Sequence, residues 1–142
     1  MITVGYKATR RSRIWLGDFT LTSAFPIGEY EAVYKPDEWT IADTGSLFAF
    51  DTLENASLFL YAHKSLHFQI WECDLASVTP APRRVPTMAY PLYDGIARFW
   101  ENPYLYECGG NPMQRTPQGT LTARGIRITR RVSPCYPAIR VV

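Results

Sequence analysis

The sequence is poor in the residues that usually carry chemistry. It has two histidines, three lysines and three cysteines in 142 residues. Cys73, Cys108 and Cys135 are odd in number and widely spaced, with no C-x-x-C pair. That pattern gives neither a disulfide framework nor a zinc site, and reads as the thiols of a reduced, cytoplasmic protein. A catalytic cysteine needs a histidine to activate it, and none lies beside these three. His63 and His67 have the i, i+4 spacing of helical metal ligands, but the adjacent glutamate of H-E-x-x-H and a third ligand are missing. They read as the polar end of a helix. There is no G-x-x-x-x-G-K-[ST], no G-x-G-x-x-G and no G-x-S-x-G. No apolar run approaches the ~18 residues of a membrane span, and Met1-Ile2-Thr3-Val4 lacks the basic and apolar regions of a signal peptide. The expectation is a protein without metal, cofactor, catalytic residue or membrane attachment.

What is present is apolar, aromatic and arginine-rich. The chain is 46% hydrophobic and 14% aromatic, with 11 prolines and a formal net charge of +2. At about 150 residues per domain it reads as a single domain, residues 1–142, with enough core to fold unaided. The small net charge hides an asymmetry. Lys7, Arg10, Arg11 and Arg13 open the chain without an acid. Residues 29–54 hold Glu29, Glu31, Asp37, Glu38, Asp43, Asp51 and Glu54 against Lys35 alone. After Glu107 come Arg115, Arg124, Arg127, Arg130, Arg131 and Arg140, again with no acid. Arginine suits bidentate contacts to carboxylates and phosphates. The bland reading of this pattern is a solvated sheet face whose arginines pair with the acidic segment. Paired acids at strand spacing, Glu29/Glu31 and Glu72/Asp74, likewise read as surface charge rather than a glycosidase pair.

Periodicity assigns an α+β fold, a mainly antiparallel sheet with one principal helix and long proline-rich loops. Ile2 to Thr9 reads as a first strand with Ile2, Val4, Tyr6 and Ala8 on one face, and Arg10 to Asp18 as a basic, turn-rich stretch. Tyr30 to Tyr34 alternates before a turn at Lys35-Pro36-Asp37. Leu47 to Phe50 is a short strand. Asp51-Thr52-Leu53-Glu54 is a capping box with Asp51 as N-cap, opening a helix over 52–63. Its apolar face is Leu53, Ala56, Phe59, Leu60 and His63. Phe68 to Leu75 is a clear strand. Prolines from Pro80 to Pro117 exclude long helices there, though Gly95 to Trp100 reads as a short helical turn. Thr120 to Val132 is one long strand with a bulge at Gly125.

Gly45-Ser46-Leu47-Phe48-Ala49-Phe50 followed by Thr52-Leu53-Glu54-Asn55-Ala56 resembles the central strand-then-helix block of the ADP-ribosyltransferase fold. Tyr6-Lys7-Ala8-Thr9 is similar to that family's opening strand, Ile70 to Leu75 to the strand after its helix, and Pro117 to Ile126 to its last catalytic strand. The resemblance covers about a third of the chain, in patches. It implies a nucleotide site at Lys7, which stands where the family has histidine or arginine, and at Phe48, near its stacking tyrosine. The family's late glutamate has no counterpart after Glu107. The resemblance therefore implies the fold without the transferase activity. In general style the chain is also similar to bacteriophage accessory proteins, many of which block host or defence proteins.

Three functions compete on this reading. The first is a non-catalytic protein-interaction module, an inhibitor of a host or defence protein acting in the host cytoplasm. It would bind a protein partner through Arg10, Arg11, Arg13, Trp15 and Arg127, residue types that dominate interface energetics. The alternative is a nucleotide-binding or ADP-ribosyltransferase-like enzyme using Lys7 and Phe48. It requires a cleft between the Tyr6 strand and the 45–50 strand. A nucleic-acid-binding protein using the arginine-rich ends is the third. It needs those arginines on one continuous surface.

Overall fold

Short runs of alternating apolar residues, cut by turns and prolines, put most of this chain into strands. The computed structural model describes residues 2–13, 19–23, 32–42, 45–62, 68–86 and 113–135, and of 11–13, 19–23, 84–86 and 113–114 the backbone alone. The elements are β1 (Thr3–Arg13), β2 (Phe19–Ser23), β3 (Val33–Tyr34), β4 (Trp39–Ile41), β5 (Leu47–Phe50), α1 (Leu53–Ala62), β6 (Gln69–Ala76), β7 (Thr79–Pro80), β8 (Arg84–Pro86), β9 (Met113–Arg115), β10 (Thr120–Ala123) and β11 (Gly125–Val132). All strand pairs are antiparallel. Together with the single helix among the described residues, this is the expected α+β fold. Of the expected proline-rich loops between Pro80 and Pro117, residues 87–112, with the turn at Gly95 to Trp100, lie outside the described residues.

The sheet runs β4-β11-β6-β1-β5-β10-β7, with β2 paired to β1, β3 paired to β2, and a separate β8–β9 pair. It divides into two halves. One is β4-β11-β6-β1; the other is β5-β10-β7. Only Tyr6↔Phe50 joins β1 to β5, whereas β1 and β6 pair continuously from Thr3↔Leu75 to Thr9↔Gln69. At the opposite corner a single residue, Arg124, links β10 to β11. Its N–H donates to the Ala76 carbonyl (3.0 Å), its carbonyl accepts from Ala42 (2.9 Å), and its guanidinium donates to the Gly45 carbonyl. The expected long strand is thus two strands, each serving a different half. The bulge falls at Thr129, between Ile128 and Arg130, not at Gly125.

Joined at both corners, the halves close over an inner core of Tyr34, Ala42, Leu47, Ala49, Cys73, Leu75, Ala123, Ile126 and Ile128. Each large aliphatic side chain buried there contributes about 1.5–3 kcal/mol. A second core lies on the outer face, where α1 sets Ala56 and Leu60 against Ala8, Phe50, Phe68 and Ile70. Ser57 is also buried, donating to the Leu53 carbonyl (2.7 Å) and accepting from the Cys135 N–H (2.8 Å).

The cap of α1 differs from expectation by one residue. The Thr52 hydroxyl accepts from the Asn55 N–H (3.1 Å), and the Thr52 carbonyl from the Ala56 N–H. Thr52 is therefore the N-cap, and Glu54 sits at the second helical position rather than the third. The Asp51 carboxylate instead accepts from the Asn55 side chain (2.8 Å). The backbone reason is a neighbouring turn: the Asp51 N–H is already held by the Gly119 carbonyl (2.9 Å), which keeps residue 51 in the strand connection. The Lys35-Pro36-Asp37 turn forms as expected, closed by Glu38 N–H to the Lys35 carbonyl.

Candidate functional site

The first strand places its side chains opposite to what its polarity suggests. Ile2 and Val4 are 54% and 55% exposed, whereas Lys7 and Thr9 are buried. Odd-numbered residues of β1 face inward because β6, their cross-strand partner, turns Trp71, Cys73 and Leu75 to the inner core. Gly5 is required on that face, since a Cβ there would lie 2.6 Å from the Leu75 side chain and 2.9 Å from the Phe50 carbonyl. Close approach at Gly5 is what brings β5 to β1.

Beyond that contact β5 leaves β1, and β2 takes over the same edge. Thr9 pairs with Gln69 on one edge and Ser23 on the other. Lys7 fills the seam that opens. Its Nζ donates to the Phe48 carbonyl (2.6 Å) and lies 5.3 Å from the centre of the Tyr34 ring. No carboxylate pairs with Lys7 among the described residues. Burial pushes its pKa down to about 8, weakly opposed by Cys73. The Cys73 thiol is pushed up to about 12, also by burial, with Lys7 acting in the other direction. The Cys73 side chain is fully buried in the inner core. Thr9 Oγ1 and Trp71 Nε1 are buried with no hydrogen-bond partner among the described residues. Arg131 stands opposite Trp71 on the same inward face and is exposed. The row Lys7–Trp71–Arg131 thus runs from interior to solvent.

The outer face carries a different surface. One row across four strands is Val4, Asp74, Arg127 and Trp39. Arg127 donates twice to one Asp74 carboxylate oxygen (2.7 and 3.1 Å), and its guanidinium lies 5.0 Å from the centre of the Trp39 ring. Alongside, Arg130 pairs with Glu72 at 2.8 Å. These arginines thus pair with the acids of β6; Glu29, Glu31 and Asp43 of the acidic segment lie outside the described residues. In the neighbouring row Ile41 is 59% exposed, and its side chain, with Trp39, occupies the space above Gly125. α1 covers the far end of this face and leaves Ile2, Val4, Trp39 and Ile41 open.

The expected binding residues separate between these places. Arg10 to Arg13 lie in β1, paired with β2, rather than in a turn, because the alternation of β1 simply continues past Thr9. Trp15 lies outside the described residues, as do His63, His67 and Cys108. Arg127 is level with Val4 and so six residues from Arg10 along β1, roughly 20 Å at strand rise. The structure does not bring Arg10 and Arg127 together. Lys7 and Phe48, by contrast, do meet. Sequence reasoning missed Thr9, Trp71, Trp39 and Ile41. The signal for Thr9 was there: a lysine and a threonine alternating with glycine on one face of a core strand. No family model matches the chain, and neither a curated protein nor a solved structure matches it. Among the described residues no helix is long and apolar enough to cross a membrane.

Proposed function

We propose that the protein is a non-catalytic interaction module that docks a protein partner on the open half of its outer sheet face. The role is the one implied by its likeness to phage accessory proteins, blocking a host or defence protein in the cytoplasm. The observation that carries this reading is the exposed Trp39–Arg127 stack flanked by Ile41, Val4 and Ile2. Trp and Arg are the residue types most enriched at interface hot spots, and this arginine is already oriented by Asp74. An antiparallel sheet face with exposed aliphatics beside a helix-covered end is a ready docking plane. The test is retention of a protein from a host lysate on the immobilised chain. Trp39→Ala and Ile41→Asp should abolish retention, while Leu58→Asp on the exposed side of α1 should not. Retention that survives both outer-face changes refutes the assignment. Retention that is lost on nuclease treatment transfers it to nucleic acid.

A second reading draws on the seam. β5 splays from β1 around Lys7, in the place where the alternative of a nucleotide-binding, ADP-ribosyltransferase-like protein requires a cleft. Calorimetric titration with NAD tests it, with Lys7→Ala as the control.

A further inference from the structure

The inward face of β1 and β6 holds donors without matching acceptors. A lysine ammonium has three N–H donors, and one of Lys7's goes to the Phe48 carbonyl. Thr9 Oγ1 and Trp71 Nε1 are buried and unpartnered among the described residues. Leaving such groups unpaired costs about 1–3 kcal/mol each. All three side chains share the inward face: Lys7 and Trp71 are direct cross-strand partners, and Thr9 follows two residues along β1. Cross-strand Cβ atoms lie about 5 Å apart, and residues i and i+2 about 7 Å. Arg131, exposed and opposite Trp71, supplies a cation at the solvent end of the same row.

We propose that this stretch of the inward face, at Lys7, Thr9 and Trp71, is a binding site for a single small oxyanion, a carboxylate or phosphate group, accepting hydrogen bonds from Lys7 Nζ, Thr9 Oγ1 and Trp71 Nε1, with Arg131 at its mouth. The site is on the opposite side of the sheet from the docking face and depends on neither reading above. An anion there neutralises a buried charge that no described carboxylate neutralises, and it satisfies two orphaned donors. The Lys7 amine keeps its proton when the anion binds, so its lowered pKa moves back up on binding, and binding weakens as pH rises past about 8.

Lys7, Lys35 and Lys64 are the chain's three lysines, so the ε-carbon signals of 13C-lysine-labelled protein resolve Lys7, assigned by its loss in Lys7→Met. Inorganic phosphate is titrated in one arm and acetate in another, at pH 7 and pH 9.5. The expected result is a saturable shift of the Lys7 signal in at least one arm, weaker at pH 9.5. Thr9→Val and Trp71→Phe should each weaken it about tenfold or more, the loss expected for a hydrogen bond to a charged group. The arm that responds names the anion class. A Lys7 signal that does not move in either arm overturns the proposal, as does a non-saturating shift unchanged by Thr9→Val and Trp71→Phe. A response to NAD without one to phosphate or acetate also overturns it, in favour of the nucleotide reading.

Discussion

Replacing Lys7 with methionine tests the physical core of this structure. Lys7 is buried and its pKa falls from 10.5 to about 8. The unfolded chain therefore holds a proton on this amine over a pH range in which the folded chain has released it. Stability consequently rises with pH between about 8 and 10.5, because the unfolded state binds more protons there. At 1.36 kcal/mol per pKa unit, the buried ammonium costs the fold about 3 kcal/mol below pH 8. Methionine is similar in length, carries no charge, and tolerates irregular packing. Its own cost is the Phe48 carbonyl, which loses the Lys7 donor and so gives back about 1–3 kcal/mol. Lys7→Met should thus be neutral to about 2 kcal/mol more stable at pH 7. The decisive quantity is the difference between wild type and variant, which should shift by about 3 kcal/mol toward wild type from pH 7 to pH 10.5. Groups common to both proteins, including Cys73 and the tyrosines, cancel in that difference to the extent that they do not couple to Lys7. Urea denaturation at pH 7, 8, 9 and 10 measures it. A variant several kcal/mol less stable at every pH, with a flat difference, would show that Lys7 is charge-compensated in the fold and refute the reasoning.

Three further outcomes follow from the geometry. Thr52→Ala should cost about 1 kcal/mol by removing the α1 cap. Asp51→Ala should cost less, since its carboxylate holds only the exposed Asn55 side chain; thermal unfolding of the two variants ranks them, and the reverse order would restore Asp51 as the cap. Gly119→Ala should be strongly destabilising: its φ of +80° alone costs an alanine about 1–3 kcal/mol, and a Cβ would collide with the Asn55 amide and Asp51 carboxylate. A melting temperature equal to wild type would show that the 117–120 turn can move away from α1. Cys73 should not react with a thiol reagent at pH 8 in the folded protein, its thiol being fully buried and pushed up to about 12; Cys73→Ala should leave the number of fast-reacting thiols unchanged, and a drop by one would place Cys73 within reach of solvent.

The α+β class, the antiparallel sheet, α1 and the Lys35-Pro36-Asp37 turn were legible from local pattern, because each is fixed by residues close in sequence. Period-two alternation makes strands, the 53–60 apolar spacing makes a helix, and a proline before a residue that tolerates positive φ makes a tight turn. The position of the α1 cap was not legible, since Asp51 and Thr52 are both good caps and the Gly119 carbonyl, 68 residues away, selects between them. Which face of β1 is buried was not legible either. Polarity alone places Ile2 and Val4 inside and Lys7 outside, yet the closure of the two half-sheets at Arg124 buries the inward face that Lys7 and Thr9 share with Cys73 and Leu75 of β6 and Ile126 and Ile128 of β11. The same closure leaves Trp39, Ile41 and Val4 on the outer face, and separates Arg127 from the Arg10–Arg13 stretch that its charge seemed to join. Local sequence sets what each segment becomes; the long-range pairing of strands, summed over many weak contacts, decides which side of each strand meets water.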